Sequence, residues 1–446
     1  MLTKEQVNHY LRHIIIPQIG EKGQKKLLDS SALIYCENTE SLRIAAYYLS
    51  ASGTGKIYCY LENKEGHERL FDEITDLNKD TEVSLYEESN AASNEASYRI
   101  VTGSMIFVKQ ITSQLSKNKF IPTIISISSS WKGSLQTFTN SENLKEFIQS
   151  LNKVNYENSL ESPNFFANDF SAILSVIEGI KIVLNLGVQK NKLFYNLLSM
   201  EFTETANIFE KLIDNSFDAP DPLPKLSQEK ILIVGAGGLG SPAAYALTKA
   251  GIKTLGLLDL DFVEMSNLNR QVLHSFSRIG IAKVESAKYL LKKIKPEINI
   301  KTHQVELTES NAAEIISQYS LVIAAVDNIE SRYLINDSCF KLNIPVCEAG
   351  ILDFHGTATT IIPKEGHCYR CLYPKINTAA LSNLPQGVLG PIPGIMGYIE
   401  AAEAVKVLTK VGNTLKNKII LFDSLDMDFN IIQVKNYPQC PTCGKL

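Results

Sequence analysis

The chain has 446 residues, of which 44% are hydrophobic and 21% are charged, and its formal net charge is -4. This is the composition of a globular protein with room for two or three domains, and it excludes a disordered chain, a collagen-like repeat and a small disulfide scaffold. The slight negative charge argues against a surface that coats nucleic acid, and the lack of a long apolar run or signal peptide predicts a cytoplasmic protein outside the membrane.

The first half of the chain alternates short aliphatic runs with longer segments. SALIYC from Ser31 and KIYCYLE from Lys56 have the composition of buried parallel strands. The polar stretch from Asn78 to Ser97 is interpreted as an insertion or long loop without chemistry. An α/β domain is therefore predicted for residues 31–213, preceded by an arm of residues 1–30.

Segments of this domain recur in the second half. IPTIISISSSWKGSLQTF from Ile121 resembles IPVCEAGILDFHGTATTI from Ile344, EGIKIV resembles EAVKVL, and YNLLSMEF resembles FDSLDMDF. The matches keep their order and lie about 223 to 227 residues apart, which predicts a duplicated domain. The stretch DNSFDAPDPLP lies between the copies, and residues 214–228 are assigned to a linker.

The second copy, residues 229–446, carries a glycine motif between a predicted strand and a predicted helix. KILIVGAGGLGSP contains GxGxxG, formed by Gly235, Gly237 and Gly240. Glycines there allow a tight turn and close approach of the backbone to phosphate, and the helix N-terminus adds free N–H groups. Asp259 follows about 20 residues later, where an acid can accept ribose hydroxyls. Alone, the motif indicates a nucleotide, most often NAD.

Two cations argue against a dinucleotide site. SNLNRQ contains Arg270, and Lys283 follows 13 residues later. A triphosphate and its leaving pyrophosphate need more positive charge than a diphosphate. Asp327 follows a predicted apolar strand and precedes Asn328. Its carboxylate could hold Mg²⁺ against phosphates, or it could cap the following helix.

Two CxxC pairs predict a metal site near the end of the chain. CYRC contains Cys368 and Cys371, and CPTC contains Cys440 and Cys443. Four thiolates form a closed tetrahedral set typical of structural zinc, which would pin the C-terminal tail to the domain. The remaining cysteines lie in apolar runs and are expected to be core residues, namely Cys36, Cys59, Cys339 and Cys347.

The first copy lacks the glycine motif, the acid after the second strand and the CxxC pairs. CENTES stands where the second copy has GAGGLG, Leu61 stands in the place of Asp259, and no CxxC pair occurs. The first copy is therefore expected to be structural and inactive.

In this order, GAGGLGSP, LDLDFVEMSNLNRQ, GIAKVESA, AAVDN, CYRC, GVLGPIPGIMG and CPTCG resemble the ThiF/MoeB/HesA adenylyltransferases, prokaryotic relatives of ubiquitin-activating enzymes. The resemblance implies that the second copy uses ATP and Mg²⁺ to adenylate the C-terminal carboxylate of a small ubiquitin-like sulfur-carrier protein or a peptide, releasing pyrophosphate. It assigns Gly238 and the neighbouring glycines to the phosphates and Asp259 to the ribose. The other ATP contacts that it implies are Ser266, Asn267, Asn269, Arg270, Lys283, Asp327 and Asn328. Arg270 and Lys283 would act on the phosphates, and Asp327 would be the metal-binding and catalytic carboxylate.

The N-terminal sequence HYLRHIIIPQIGEKGQKKLLDS also resembles the first helices of this family. Arg12 occupies the place of the family's arginine finger, which reaches the site of a partner subunit. The resemblance therefore implies two tandem Rossmann-like α/β domains that form a pseudo-dimer within one chain. The N-terminal domain is inactive, the C-terminal domain is active and carries a Cys₄ zinc site, and Arg12 crosses to the active site.

One departure from the family concerns the loop before Gly387. Many relatives carry a cysteine there that takes the activated product, but here Asn383 occupies its place and no cysteine lies between Cys371 and Cys440. Without a thiolate in this loop, the reaction is expected to stop at the acyl-adenylate. The alternatives are a peptide-modifying enzyme of ribosomal natural-product biosynthesis, an NAD-dependent oxidoreductase, and a pseudoenzyme that only binds a ubiquitin-like partner.

Overall fold

The structure is a computed structural model that describes residues 1–87, 96–115, 119–154, 165–204, 207–213, 226–374 and 386–444. Residues 214–225, which make up most of the predicted linker, and the loop position Asn383 lie outside these ranges. The described part contains two eight-stranded sheets, one in each half of the chain. None of its helices combines the length and apolar character that crossing a bilayer requires.

The N-terminal arm consists of three short helices, α1 (Lys4–His9), α2 (Leu11–Ile14) and α3 (Gly20–Leu28). The Thr3 side chain accepts a hydrogen bond from the backbone N–H of Gln6, and the Gln6 side chain accepts one from the N–H of Thr3. This capping box fixes where α1 begins. Tyr10 and His13 are fully buried, so the arm packs into the body of the protein.

The first sheet has the order β3-β2-β1-β4-β5-β6-β7-β8. Its first five strands are parallel and the last three run antiparallel to their neighbours. The strands are β1 (Ser31–Asn38), β2 (Lys56–Asn63), β3 (Glu82–Leu85), β4 (Tyr98–Gly103), β5 (Thr123–Ser129), β6 (Lys132–Phe138), β7 (Leu193–Asn196) and β8 (Glu201–Thr203). The helices are α4 (Thr39–Ala51), α5 (His67–Leu77), α6 (Met105–Leu115), α7 (Ser141–Lys153), α8 (Phe165–Leu184) and α9 (Ile208–Ile213).

The strand β3 corrects the interpretation as an insertion or long loop for residues 82–85 of the stretch 78–97, of which residues 88–95 lie outside the described ranges. It pairs in parallel with β2 at the sheet edge and is partly exposed. Its sequence, EVSL, is short and half polar, as suits an edge strand, and therefore lacks the long apolar run used to identify the others. Residues 82–85 therefore belong to the sheet.

The second sheet repeats the first, with the order β11-β10-β9-β12-β13-β14-β15-β16 and the same division into parallel and antiparallel pairs. The strands are β9 (Lys230–Val234), β10 (Thr254–Leu258), β11 (Asn299–His303), β12 (Leu321–Ala324), β13 (Val346–Leu352), β14 (His355–Ile361), β15 (Lys418–Asp423) and β16 (Asp428–Gln433). The helices are α10 (Gly240–Lys249), α11 (Lys283–Ile294), α12 (Ala312–Ile316), α13 (Ile329–Leu342), α14 (Tyr369–Leu372) and α15 (Ile392–Thr409), with 3₁₀ turns at Met265–Asn267 and Phe276–Arg278.

Equivalent ion pairs lie inside the two halves. Glu178 and Lys181 on α8 are buried and paired, and so are Glu403 and Lys406 on α15. Each pair consists of residues three positions apart on one helix, where side chains meet. The sequence matches EGIKIV and EAVKVL thus lie on corresponding helices of the two halves.

The halves also contact each other reciprocally. The N–H of Val188 donates to the carbonyl of Leu425 at 3.0 Å, and the N–H of Asn413 donates to the carbonyl of Leu198 at 2.8 Å. Val188 corresponds to Asn413, and Leu198 corresponds to Leu425. Each half therefore donates one of these hydrogen bonds and accepts the other at corresponding positions, as in a twofold interface between subunits.

Candidate functional site

A cavity of about 450 Å³ opens at the carboxyl ends of the parallel strands of the second sheet. Its floor includes Val234 at the end of β9, Leu258 at the end of β10 and Ala325 just after β12. Strand order reverses between these elements, because β9 lies between β10 and β12. In open α/β sheets this is where ligands bind.

Three of the predicted glycines, Gly235, Gly237 and Gly238, line the cavity. Gly235 has φ +100°, and a Cβ there would lie 2.4 Å from the carbonyl oxygen of Ala325. A Cβ on Gly240 would lie 1.8 Å from the carbonyl oxygen of Gly235, so Gly240 lets α10 begin directly behind the loop. The loop needs glycine both to turn and to pack.

Two acids and a lysine lie on one side of the cavity. Asp259 accepts hydrogen bonds from the N–H of Ala236 at 2.7 Å and the N–H of Asp261 at 2.8 Å. Burial raises the pKa of Asp259, an effect that the charge of Lys283 opposes. Lys283 lies 2.8 Å from a carboxylate oxygen of Asp261, and all three side chains line the cavity.

Two arginines from opposite halves of the chain line the same cavity. Arg270 is 8% exposed, and burial and the charge of Arg12 lower its pKa, against the influence of Asp327. Arg12, on α2 of the N-terminal arm, donates a hydrogen bond to the carbonyl of Gln386 at 2.8 Å. The N-terminal arm therefore reaches the cavity of the second half, where the charge of Arg12 acts on Arg270.

Three other residues that were predicted to contact ATP are not among the residues that line the cavity, namely Ser266, Asn267 and Asn269. Arg270 donates to the carbonyl of Ser266 at 2.8 Å and to Oδ1 of Asn269 at 2.7 Å. The side chain of Asn267 accepts from the N–H of Glu264 at the start of a 3₁₀ turn. The motif SNLNRQ therefore orients the guanidinium of Arg270.

Asp327 and Asn328 both line the cavity, but only the side chain of Asn328 caps a helix. Asn328 caps α13 by accepting a hydrogen bond from the N–H of Ser331 at 2.8 Å. The capping alternative considered for Asp327 is thus fulfilled by its neighbour, and the Asp327 carboxylate faces the cavity at the end of β12.

Sequence reasoning missed several lining residues, among them Gln271 and Arg332. Arg332 lies in the first turn of α13, donates to the carbonyl of Val326 at 2.7 Å and pairs with the buried Glu348. Its position five residues after Asp327, on the helix that begins at the cavity, is a signal that could have identified it. The lining residues 305–307 follow β11 and belong to no motif.

In the first half, a carboxylate occupies the place that corresponds to the glycine loop. Glu37 stands in the CENTES segment, and Ser104 donates to its carboxylate from both its hydroxyl, at 2.5 Å, and its N–H, at 3.2 Å. Leu61, in the register position of Asp259, is buried. A carboxylate at the end of β1 would repel phosphate, which agrees with an inactive first copy.

The four predicted metal ligands come together. The sulfur atoms of Cys368, Cys371, Cys440 and Cys443 lie within 4.8 Å of one another, close to the separation of about 3.8 Å expected for tetrahedral thiolates on zinc. The cluster could therefore hold a metal ion. The described core contains the other four cysteines, all buried as predicted.

Comparisons with known proteins concern mainly the second half. The sequence model of the ThiF family matches residues 210–442. The SAMP-activating enzyme E1 of Haloferax volcanii is 35% identical over 56% of this chain and 92% of that protein. The sulfur carrier protein adenylyltransferase of Thermus thermophilus is 38% identical over 50% of this chain and 86% of that protein.

Other relatives are longer or more distant. The adenylyltransferase and sulfurtransferase MOCS3-2 of Zea mays is 40% identical over 50% of this chain, and the chain spans only 46% of its length. Among solved structures, E. coli MccB with ATP is 25% identical, with a TM-score of 0.46 over 50% of this chain and 69% of that one.

Proposed function

This chain belongs to the ThiF family, and from that premise we propose that its second half is an ATP-dependent adenylyltransferase acting on a small ubiquitin-like sulfur-carrier protein. The C-terminal carboxylate of the carrier attacks the α-phosphorus of ATP, the α–β phosphoanhydride bond breaks, and pyrophosphate leaves. The product is an acyl-adenylate. The names of the Haloferax and Thermus relatives support this kind of acceptor.

The observation that carries the proposal is the set of cations around one cavity. Arg12, Arg270 and Lys283 line it together with the glycine loop. Three positive charges suit a triphosphate whose charge shifts to pyrophosphate as the bond breaks, and preorganised cations stabilise that change. A diphosphate of NAD would leave them largely unused.

The remaining polar groups have matching roles. The glycine loop would offer backbone N–H groups to the phosphates. Each oxygen of Asp259 accepts one backbone hydrogen bond, which leaves acceptor capacity for ribose hydroxyls. Asp327 would supply an oxygen ligand to Mg²⁺, a hard cation that would neutralise part of the phosphate charge.

The first half would serve as a built-in partner subunit in a pseudo-dimer. It contributes no glycine loop, but its arm brings Arg12 to the other half's cavity. We assign zinc to the cysteine cluster, where four thiolates would leave no open position for chemistry and would fix the tail in place. A reducing compartment such as the cytoplasm keeps such thiolates free for a metal.

The test is ATP–pyrophosphate exchange by the full chain with Mg²⁺, with and without small carrier proteins that end in Gly-Gly. We expect exchange that depends on the carrier, and an adenylate adduct of the carrier by mass spectrometry. Exchange with short peptides but not with carriers would favour a peptide-modifying enzyme. Binding of NADH without binding of ATP would overturn the proposal.

A further inference from the structure

A segment at the interface joins the cavity to the inactive half. It begins with Arg270 and Gln271, which line the cavity, and continues through His274 to the 3₁₀ turn Phe276–Arg278. The turn contacts α5 of the first half. The nine residues from Arg270 to Arg278 therefore have the proposed nucleotide site at one end and the first half at the other.

The contact with the first half is made by Asp76 on α5. Its carboxylate accepts hydrogen bonds from the hydroxyl of Ser275 at 2.6 Å, the hydroxyl of Ser277 at 2.7 Å and the N–H of Ser277 at 2.9 Å. Partial burial would raise the pKa of Asp76, but these hydrogen bonds and nearby Arg278 hold it below its usual value. The group is therefore an anion at neutral pH, and its hydrogen bonds are charge-assisted.

A chain of hydrogen bonds leads from this turn to the glycine loop. Arg278 donates from Nε to the hydroxyl oxygen of Ser286 at 2.9 Å. That hydroxyl lies 3.0 Å from Nδ1 of His274, and Nε2 of His274 lies 2.9 Å from the carbonyl oxygen of Ala236. Since a carbonyl only accepts, Nε2 carries the proton, Nδ1 accepts from Ser286, and every bond in the chain has one direction.

This series of hydrogen bonds ends at Ala236 in the glycine loop. Ala236 lies between the cavity-lining Gly235 and Gly237, and its N–H donates to Asp259 at 2.7 Å. His274 is fully buried, and burial lowers its pKa to about 3, so it remains a neutral, single-tautomer donor. Ala236 is thus held by Asp259 at its N–H and by His274 at its carbonyl, so both peptide groups that flank it are fixed.

We propose that Asp76 is a positioning residue for the nucleotide site, which holds the 275–278 turn and, through His274, fixes the conformation of the glycine loop. The inactive half then acts on the active site at a second point besides Arg12. This inference rests on the proposed function, because it concerns the affinity of the second half for ATP.

The experiment is isothermal titration of the full chain with ATP–Mg²⁺. We expect Asp76→Ala to raise the Kd for ATP about tenfold, a coupling within the usual range between linked sites. The matched control is Asp72→Ala, one turn earlier on α5, because Asp72 is exposed and makes none of the three hydrogen bonds. The control should bind ATP like the wild type.

A double-mutant cycle separates positioning from a general loss of stability. His274→Phe removes the hydrogen bond to the glycine loop and should weaken ATP binding by itself. If Asp76 acts through His274, adding Asp76→Ala to His274→Phe weakens binding no further. If the two losses multiply, Asp76 acts by another route and the proposal is wrong.

Thermal unfolding of each variant accompanies the titrations. If Asp76→Ala is not folded at the titration temperature, Asp76→Asn replaces it, since the amide keeps one acceptor oxygen and should raise the Kd about threefold. Wild-type ATP binding with unchanged affinity in the folded Asp76 variants would overturn this inference alone. Absence of ATP binding in the wild type would overturn the proposed function as well.

Discussion

Replacing Arg12 by alanine is the sharpest test of a site shared between the two halves. The residue lies on α2, more than 200 residues before the glycine loop in sequence, yet its side chain lines the same cavity as Gly238 and Asp327. If the guanidinium stabilises charge that develops on the triphosphate, the substitution should slow adenylation without disturbing the fold.

The structure gives different magnitudes for the two effects. Among the described residues, the Arg12 side chain donates one hydrogen bond, to the carbonyl of Gln386 at a solvent-exposed position. Its loss should change the free energy of unfolding by about 1 kcal/mol or less. Removing one preorganised donor from a transition state typically costs about 10²–10³ in rate, or about 2.7–4 kcal/mol.

The assay is ATP–pyrophosphate exchange with a cognate carrier, measured beside thermal unfolding. Arg12→Lys keeps the charge but not the planar fork and should retain an intermediate rate. Lys22→Ala is the matched control, because Lys22 is an exposed cation on α3 of the same arm and does not line the cavity. Exchange by Arg12→Ala at the wild-type rate would refute the reasoning.

Three further predictions concern the other parts of the molecule. Asp327→Ala should slow exchange about 10²-fold or more while the melting temperature stays nearly constant, because Asn328 still caps α13. Cys440→Ser should lower the bound metal measured by mass spectrometry and lower the melting temperature, since three ligands no longer form a closed set; full metal content in this variant would contradict the cluster assignment. Burial lowers the pKa of His13 to about 4 from 6.5, so the unfolded chain binds a proton there first as the pH falls. The free energy of unfolding from urea titrations should therefore lose about 1.4 kcal/mol from this residue between pH 7.5 and 5.5, and His13→Gln should lack that share of the loss.

The parts of the site that the sequence reveals are those in which spacing alone dictates geometry. A GxGxxG motif between strand and helix can form only one kind of turn, and two CxxC pairs bring their sulfurs together once the tail folds back. The roles of Ser266, Asn267 and Asn269 were harder to predict, because in a 3₁₀ turn the direction of each side chain depends on its hydrogen bonds. Here those bonds orient Arg270.

Long-range contacts explain what sequence patterns missed. Asp76 lies on a helix of the first copy and matches no motif, and its proposed role depends on three hydrogen bonds to residues about 200 positions later. Arg332 was missed because an arginine on a helix is ordinarily a solvated surface residue. The edge strand β3 was missed because half of its side chains are polar.

The interface between the two halves buries side chains of both, which fits the proposed pseudo-dimer. The helix α15 is mostly apolar and buried almost throughout, including its ionisable residues Glu400, Glu403 and Lys406, which a surface helix of an isolated domain would not be. Tyr398 of α15 and Lys249 of α10 both bond to one oxygen of Asp169, a fully buried carboxylate of the first half. Separating the halves would leave Tyr398 and Lys249 without Asp169, their shared partner. Under the proposed function, the first half would act through this surface, through the arm with Arg12 and through Asp76, so Glu37 in the place of the glycine loop would not prevent its contribution.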